Sequence, residues 1–105
     1  PSGVRQGISQ ETLSRYLTTV FKMIDKKKKY PSRALRRREE GKITLRLTLA
    51  RDGSLIDVVA QTEKPKALAE ASIKAVRAAA PFSAFPKGLD KDKASFEIPV
   101  IYRLQ

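Results

Sequence analysis

The sequence predicts an α+β domain of two layers, in which helices pack on one face of a three-stranded antiparallel sheet. Three observations lead to this prediction. An apolar stripe of helical period lies near the N-terminus, two later segments alternate apolar and polar residues, and an Asp-Gly pair follows the first of them. The predicted element order is α-α-β-β-α-β, with the last strand at the edge of the sheet.

The first predicted helix follows a leader, residues 1–8, that we expect to be flexible and to precede a single domain over residues 9–105. Ser9 suits the N-cap, because its hydroxyl can accept a hydrogen bond from an otherwise unpaired backbone N–H. The pair Tyr30-Pro31 ends the helix, since proline disfavours helical geometry in the residue before it. The apolar stripe has the helical spacing and consists of Leu13, Tyr16, Leu17, Val20, Phe21 and Ile24.

The middle of the chain changes from helical to strand periodicity. Residues Ser32–Glu40 predict a short helix that Gly41 terminates. Ile43, Leu45, Leu47 and Leu49 then alternate with polar residues, which indicates a strand with one buried face. Residues 51–54 form the turn to a second strand, 55–61, whose apolar doublets indicate a β-bulge.

The C-terminal half predicts one more helix and one more strand. The helix runs from Pro65 to about Ala80 and is rich in alanine, which permits close packing against a sheet. Phe82 and Phe85 are expected to be buried anchors of the following turn, and residues 87–93 form a polar loop. Period-2 alternation over residues 96–104 then indicates the final strand.

Pro99 lies inside that final strand. Proline has no N–H to donate to a neighbouring strand, so a central position in the sheet would leave one bond unmade. We therefore expect the strand at an edge, with position 99 directed away from its neighbour. An exposed edge is either covered by its own chain or used by another chain, and the residues alone leave both open.

Composition argues for a binding domain and against an enzyme. The 105 residues suit one domain, and the sequence contains neither cysteine nor histidine. It offers no nucleophile–base pair, phosphate loop or metal cluster, so neither catalysis nor a cofactor is expected. The formal net charge is +11, and residues 1–42 carry 12 basic and 4 acidic side chains. An anionic partner would be attracted to this part.

Several of these features together resemble the C-terminal domain of the TonB family over about residues 16–104. The resemblance rests on their order: Tyr16-Leu17, Val20, Ile24, Tyr30-Pro31, Ala34, Gly41, the alternating strand, Asp52-Gly53, Val58, the alanine-rich helix, Phe85-Pro86 and Ile98-Pro99-Val100-Ile101-Tyr102-Arg103-Leu104. It implies the periplasmic end of an energy-transducing protein whose parent is anchored in the inner membrane and works with ExbB and ExbD.

The same resemblance implies how partners bind. The domain would bind the TonB box, a short segment of outer-membrane transporters for siderophore–iron complexes, cobalamin and similar cargo, by adding it as a strand to the last strand of the sheet. The implied partner-binding residues are Phe96, Glu97, Ile98, Pro99, Val100, Ile101, Tyr102 and Arg103, with Tyr30 and Pro31 nearby. Lys27, Lys28 and Lys29 are added because their charge would attract acidic surfaces.

Three alternatives accompany this interpretation. A TolA-like C-terminal domain has the same architecture, although Tyr30-Pro31 and Ile98-Pro99 favour TonB. Nucleic-acid binding is suggested by the net charge, but no helix-turn-helix, zinc or RRM signature is present and no nucleic-acid partner is expected. Self-pairing of the open edge would give a dimer. The cluster of arginines at 33, 36, 37 and 38 differs from what we expect in the short helix of the family.

Overall fold

The computed structural model describes residues 8–105, so the predicted leader falls outside the described residues apart from Ile8. The elements are α1 (Gln10–Lys27), α2 (Ser32–Arg36), β1 (Gly41–Ala50), β2 (Leu55–Ala60), α3 (Lys66–Ala79) and β3 (Lys93–Tyr102). The predicted order α-α-β-β-α-β is confirmed. No helix within residues 8–105 combines the length and apolar character needed to cross a bilayer.

Helix α1 follows the predicted cap and stripe. The backbone N–H of Thr12 donates to Ser9 Oγ at 3.0 Å, which satisfies one of the unpaired donors of the first turn. Tyr16, Val20 and Ile24 are buried, and Leu17 and Phe21 are partly buried beside them. The helix ends at Lys27, because Lys28 already has extended backbone angles.

Helix α2 is shorter than predicted, and its terminating residue is a different one. The helix ends at Arg36, and Arg38 takes a left-handed conformation with φ of 55°. The N–H of Arg38 donates to the carbonyl of Leu35 at 3.0 Å, and the N–H of Glu39 donates to that of Ala34 at 2.9 Å. This is the Schellman arrangement with arginine at the position that glycine usually takes. Gly41, expected to end the helix, is instead the first residue of β1.

The sheet has the order β2-β1-β3 and is antiparallel throughout. Every β1 residue from Gly41 to Ala50 has a partner in β3, without interruption. The pairing with β2 shifts between Thr48 and Leu49, which leaves Ile56 unpaired and confirms the predicted bulge. Strand β3 therefore lies at an edge, as Pro99 predicted, but it begins at Lys93, three residues earlier than expected.

The core lies between the sheet and the helices. Ile43, Leu45, Leu47 and Leu49 of β1 are fully buried on the face that the helices cover. Helix α3 starts after Pro65, as predicted, and buries Leu68, Ser72 and Val76. Phe82 is 5 % exposed, which confirms it as a buried anchor. Phe85 contacts the rings of Tyr16 and Phe96 but is only partly buried, so it packs at the margin of the core and not inside it as predicted.

Candidate partner-binding edge

One side of β3 is paired with β1, and no strand pairs with the other side within residues 8–105. The hydrogen bonds of Thr44 in β1 show which backbone groups of β3 face each side. Pairs in an antiparallel ladder alternate between those that exchange backbone hydrogen bonds and those that do not. Thr44 lies opposite Pro99, yet its N–H donates to Thr62 Oγ1 at 3.1 Å and its carbonyl accepts from the N–H of Gln61 at 2.8 Å. Both groups of Thr44 thus point toward the β2 side. Pro99 therefore belongs to a pair without hydrogen bonds.

The alternation fixes the direction of the other groups in β3. The even-numbered residues of β3 form its backbone hydrogen bonds to β1. The even-numbered residue just before the strand follows the same rule, because the carbonyl of Asp92 accepts from the N–H of Arg51 at 2.8 Å. The odd-numbered residues consequently direct their N–H and C=O groups to the open side. These residues are Lys93, Ser95, Glu97, Pro99 and Ile101.

Pro99 leaves one gap in this row of outward groups. It presents a carbonyl to the open side but no N–H, so the intramolecular sheet loses no bond. The row of outward donors is continuous only up to Glu97. An added strand would find its regular bonding partners between Lys93 and Glu97, with one further acceptor at Pro99.

Lys28 occupies the far end of the same edge. Its Nζ donates to the outward carbonyl of Ile101, lies 3.1 Å from Asp25 Oδ1 and is 5.4 Å from the centre of the Tyr102 ring. Lys28 is the C-cap residue that follows α1, and its side chain lies beside the end of β3. This side chain terminates the open edge at Ile101, a role that sequence reasoning missed because no pattern pairs Lys28 with Ile101.

Tyr30 packs against the same end of the strand. Its ring meets Tyr102 edge-on, with centroids 5.4 Å apart, and its hydroxyl donates to the backbone carbonyl of Glu39. Burial raises the pKa of Tyr30, and the nearby carboxylates Glu40 and Glu39 raise it further. Tyr30 and Pro31 are both partly buried. Of the two, Tyr30 packs against the end of β3 through its contact with Tyr102.

Tyr102 joins the end of β3 to α3. Its hydroxyl lies 3.1 Å from Ser72 Oγ, and Ser72 in turn donates to the carbonyl of Leu68 at 2.8 Å. Burial raises the pKa of Tyr102, and the Ser72 hydrogen bond partly offsets this increase. Just beyond the strand, the N–H of Leu104 donates to Glu40 Oε2 at 2.6 Å. The edge strand is thus fixed at its C-terminal end, with Arg103 exposed after it.

The side chains of β3 divide between two surfaces. Ile98, Val100 and Tyr102 are buried in the core, whereas Glu97 is exposed on the uncovered face. On that face Thr48 Oγ1 lies 2.9 Å from Ser95 Oγ. The outward backbone groups of β3 lie in the plane of the sheet, between these two sets of side chains. Lys93–Ser95 were missed as strand residues because only Ala94 continues the apolar alternation.

The three predicted lysines do not lie together. Lys28 is at the β3 edge, but Lys27 and Lys29 line a separate groove beside α3. Of the four arginines of the α2 region, Arg33 also lines that groove, and the other three are exposed. A charge run in the sequence is thereby divided between two surfaces.

The family described as Gram-negative bacterial TonB protein C-terminal matches residues 26–104. Protein TonB of Pasteurella multocida is 27 % identical over 105 residues, which are 99 % of this chain and 40 % of that protein. The chain thus spans about two fifths of its relative's length.

Two solved structures have the same fold. A solution structure of the Helicobacter pylori TonB C-terminal domain (residues 179–285) has a TM-score of 0.74, with 24 % identity, covering 94 % of this chain and 96 % of that chain. A second, shorter one (residues 194–285) has a TM-score of 0.62, with 27 % identity, covering 90 % and 95 % respectively. With the family match over residues 26–104, they show that this chain belongs to the TonB C-terminal domain family.

Proposed function

We propose that this domain is the non-catalytic, partner-binding end of a TonB-type energy transducer in the Gram-negative periplasm. It binds the TonB box of outer-membrane transporters by adding the box as a strand beside β3. Its parent transmits force derived from the proton gradient through ExbB and ExbD, and the transporter takes up siderophore–iron complexes, cobalamin or similar cargo. The open, regular edge of β3 is the observation that carries this proposal.

The edge suits a weak and general interaction. Main-chain hydrogen bonds give affinity without requiring particular side chains in the partner, so one domain can serve transporters with different boxes. Each such bond contributes about 0.5–1.5 kcal/mol, and ordering of the peptide opposes this gain. We expect transient, roughly micromolar binding.

The outward direction of Glu97 and Pro99 allows a paired test. Glu97→Pro removes an outward N–H while leaving the bonds to β1 intact, and Pro99→Ala supplies an outward N–H that the domain lacks. We expect a TonB-box peptide to bind the first variant about three- to tenfold more weakly and the second more tightly by a similar factor, as measured by calorimetry.

The matched control is Glu97→Ala, which removes the same carboxylate but keeps the N–H. Its affinity should stay within about twofold of the unaltered domain, unless the carboxylate itself contacts the peptide. Unchanged binding by Glu97→Pro, with its fold intact by NMR, would contradict strand addition here. Sedimentation of the free domain separately tests the alternative that β3 pairs with a second copy.

A further inference from the structure

The molecule has a second candidate binding surface, on the helical layer. A groove of about 760 Å³ lies between α3, the end of α1 and the start of α2. We call it the basic groove after the cations that line it: Lys27, Lys29, Arg33, Lys74 and Arg77. None of these five takes part in the ion pairs formed within residues 8–105.

The charges of the basic groove are unbalanced. Glu70 is the single carboxylate among its lining residues. Cations gathered in a concavity reinforce one another's potential, and their mutual repulsion opposes the compact state. A ligand of opposite charge would relieve that repulsion. The groove is therefore electrostatically complementary to an anionic partner.

The apolar part of the groove lining restricts the kind of anion. It consists mainly of small or aliphatic side chains of α3: Ala67, Ala71, Ile73, Ala75 and Ala78. From residue 67 to residue 78 the helix rises about 16 Å, which is the length of roughly five residues of extended peptide. A ligand with small apolar groups between its negative charges would match both the apolar and the basic residues of the lining.

These features favour an acidic peptide over the other polyanions. Single-stranded nucleic acid is usually held by aromatic side chains that stack on its bases, and none of the groove's lining residues within 8–105 is aromatic. A membrane-surface element presents a broad apolar face with large residues, whereas this surface is concave and its apolar lining residues are mainly alanine. We propose that the basic groove binds a segment of a partner protein in which acidic residues are interspersed with small apolar residues such as alanine.

The basic groove is separate from the edge of β3. Lys28 contacts the outward carbonyl of Ile101, whereas its neighbours Lys27 and Lys29 line the groove. The end of α1 therefore lies between the two surfaces. A transporter segment paired with β3 would leave the groove free, so this inference does not depend on the proposed function.

The test titrates the isotope-labelled domain with a ten-residue peptide of alternating glutamate and alanine and follows amide shifts. We expect shifts to concentrate in residues 27–33 and 67–78. The double variant Lys74→Glu and Arg77→Glu should weaken binding at least tenfold. The matched control, Lys87→Glu with Lys91→Glu, reverses two exposed charges in the loop before β3 and should change affinity by less than about twofold.

Other outcomes would overturn the inference. An equal loss of affinity in both double variants would mean that net charge alone attracts the peptide. Tighter binding at the same residues by a ten-nucleotide oligothymidylate, or by vesicles of phosphatidylglycerol, would assign the groove to a different class of partner. A TonB-box peptide should bind the Lys74→Glu and Arg77→Glu variant as it binds the unaltered domain, so failure of the groove is distinguishable from failure of strand addition.

Discussion

The sheet has two edges, and they differ in regularity. Strand β3 pairs with all of β1 from Gly41 to Ala50 and directs the backbone groups of its odd-numbered residues to the open side. Strand β2 has six residues, and its register shifts where Ile56 bulges out. Short length and bulges are two means by which proteins keep edge strands from pairing. By this criterion β2 is the protected edge and β3 the available one.

Backbone regularity and exposed apolar area do not coincide at these two edges. The larger exposed apolar side chains of the sheet are on β2, where Ile56 is 52 % and Val59 is 48 % exposed. Strand β3 offers a regular row of outward backbone groups. Its N–H donors are interrupted at Pro99, and its last carbonyl, that of Ile101, already accepts from Lys28.

We expect the greatest loss of stability from a change at Gly53, in the turn between β1 and β2. Gly53 has φ of 94°, and its carbonyl accepts from the N–H of Phe82 at 2.8 Å. A Cβ added at Gly53 would overlap the carbonyl of Phe82 and lie 2.9 Å from that of Ser83. We expect Gly53→Ala to lower the free energy of unfolding by about 3 kcal/mol, measured by urea denaturation.

Ser54→Ala is the control for this hairpin, because Ser54 is exposed in the same turn and its N–H bond to Asp52 Oδ1 survives the change. It should alter stability by less than about 0.5 kcal/mol. Equal stability of the Gly53→Ala and Ser54→Ala variants would show that the turn can move away from Phe82.

The sequence predicted what depends on local pattern. Periodicity identified α1 and the inward faces of β1 and β3, Ser9 identified the cap, and Pro99 identified the open edge, because each signal lies within a few residues of the structure that it specifies. The doublets around Ile56 likewise indicated the bulge.

What the sequence did not predict depends on contacts between distant residues or on an exception to a local rule. Lys28 reaches Ile101, and the basic groove joins three elements. Arg38 ends α2 in a left-handed conformation that glycine adopts more readily, so the pattern pointed to Gly41 instead. Such assignments need the tertiary arrangement.

A smaller effect is expected where β3 is fixed to the helical layer. Ser72→Ala leaves the buried hydroxyl of Tyr102 without its partner at 3.1 Å. Loss of a buried hydrogen bond with one group left behind lowers stability by about 1–2 kcal/mol. Thermal and urea unfolding of Ser72→Ala, Tyr102→Phe and the double variant would measure the coupling.

In the Tyr102→Phe background no hydroxyl is left unpaired, so Ser72→Ala should then lower stability by less than it does alone. If the two effects simply add, Ser72 and Tyr102 do not act as a pair, and their hydroxyl groups do not couple β3 to α3.

A change at Lys28, at the C-terminal end of β3, should have a still smaller effect on stability. Lys28→Met keeps most of the length of the side chain but releases the outward carbonyl of Ile101, at a cost of about 1 kcal/mol in stability. In the proposed mode of binding, the released carbonyl of Ile101 becomes a further acceptor for the added strand. A TonB-box peptide should then shift the amides around residue 101 as well as those of residues 93–98, with affinity about two- to fivefold higher.

Lys27→Met is the matched control, because it removes a neighbouring charge that lines the basic groove and leaves the Lys28 contact in place. Its amide shifts should stop at Pro99, as in the unaltered domain. If Lys28→Met and Lys27→Met give the same footprint, Lys28 does not terminate the edge. Pro99 alone would then set its length, because a strand that loses its donor at 99 has little to gain from one more acceptor beyond the gap.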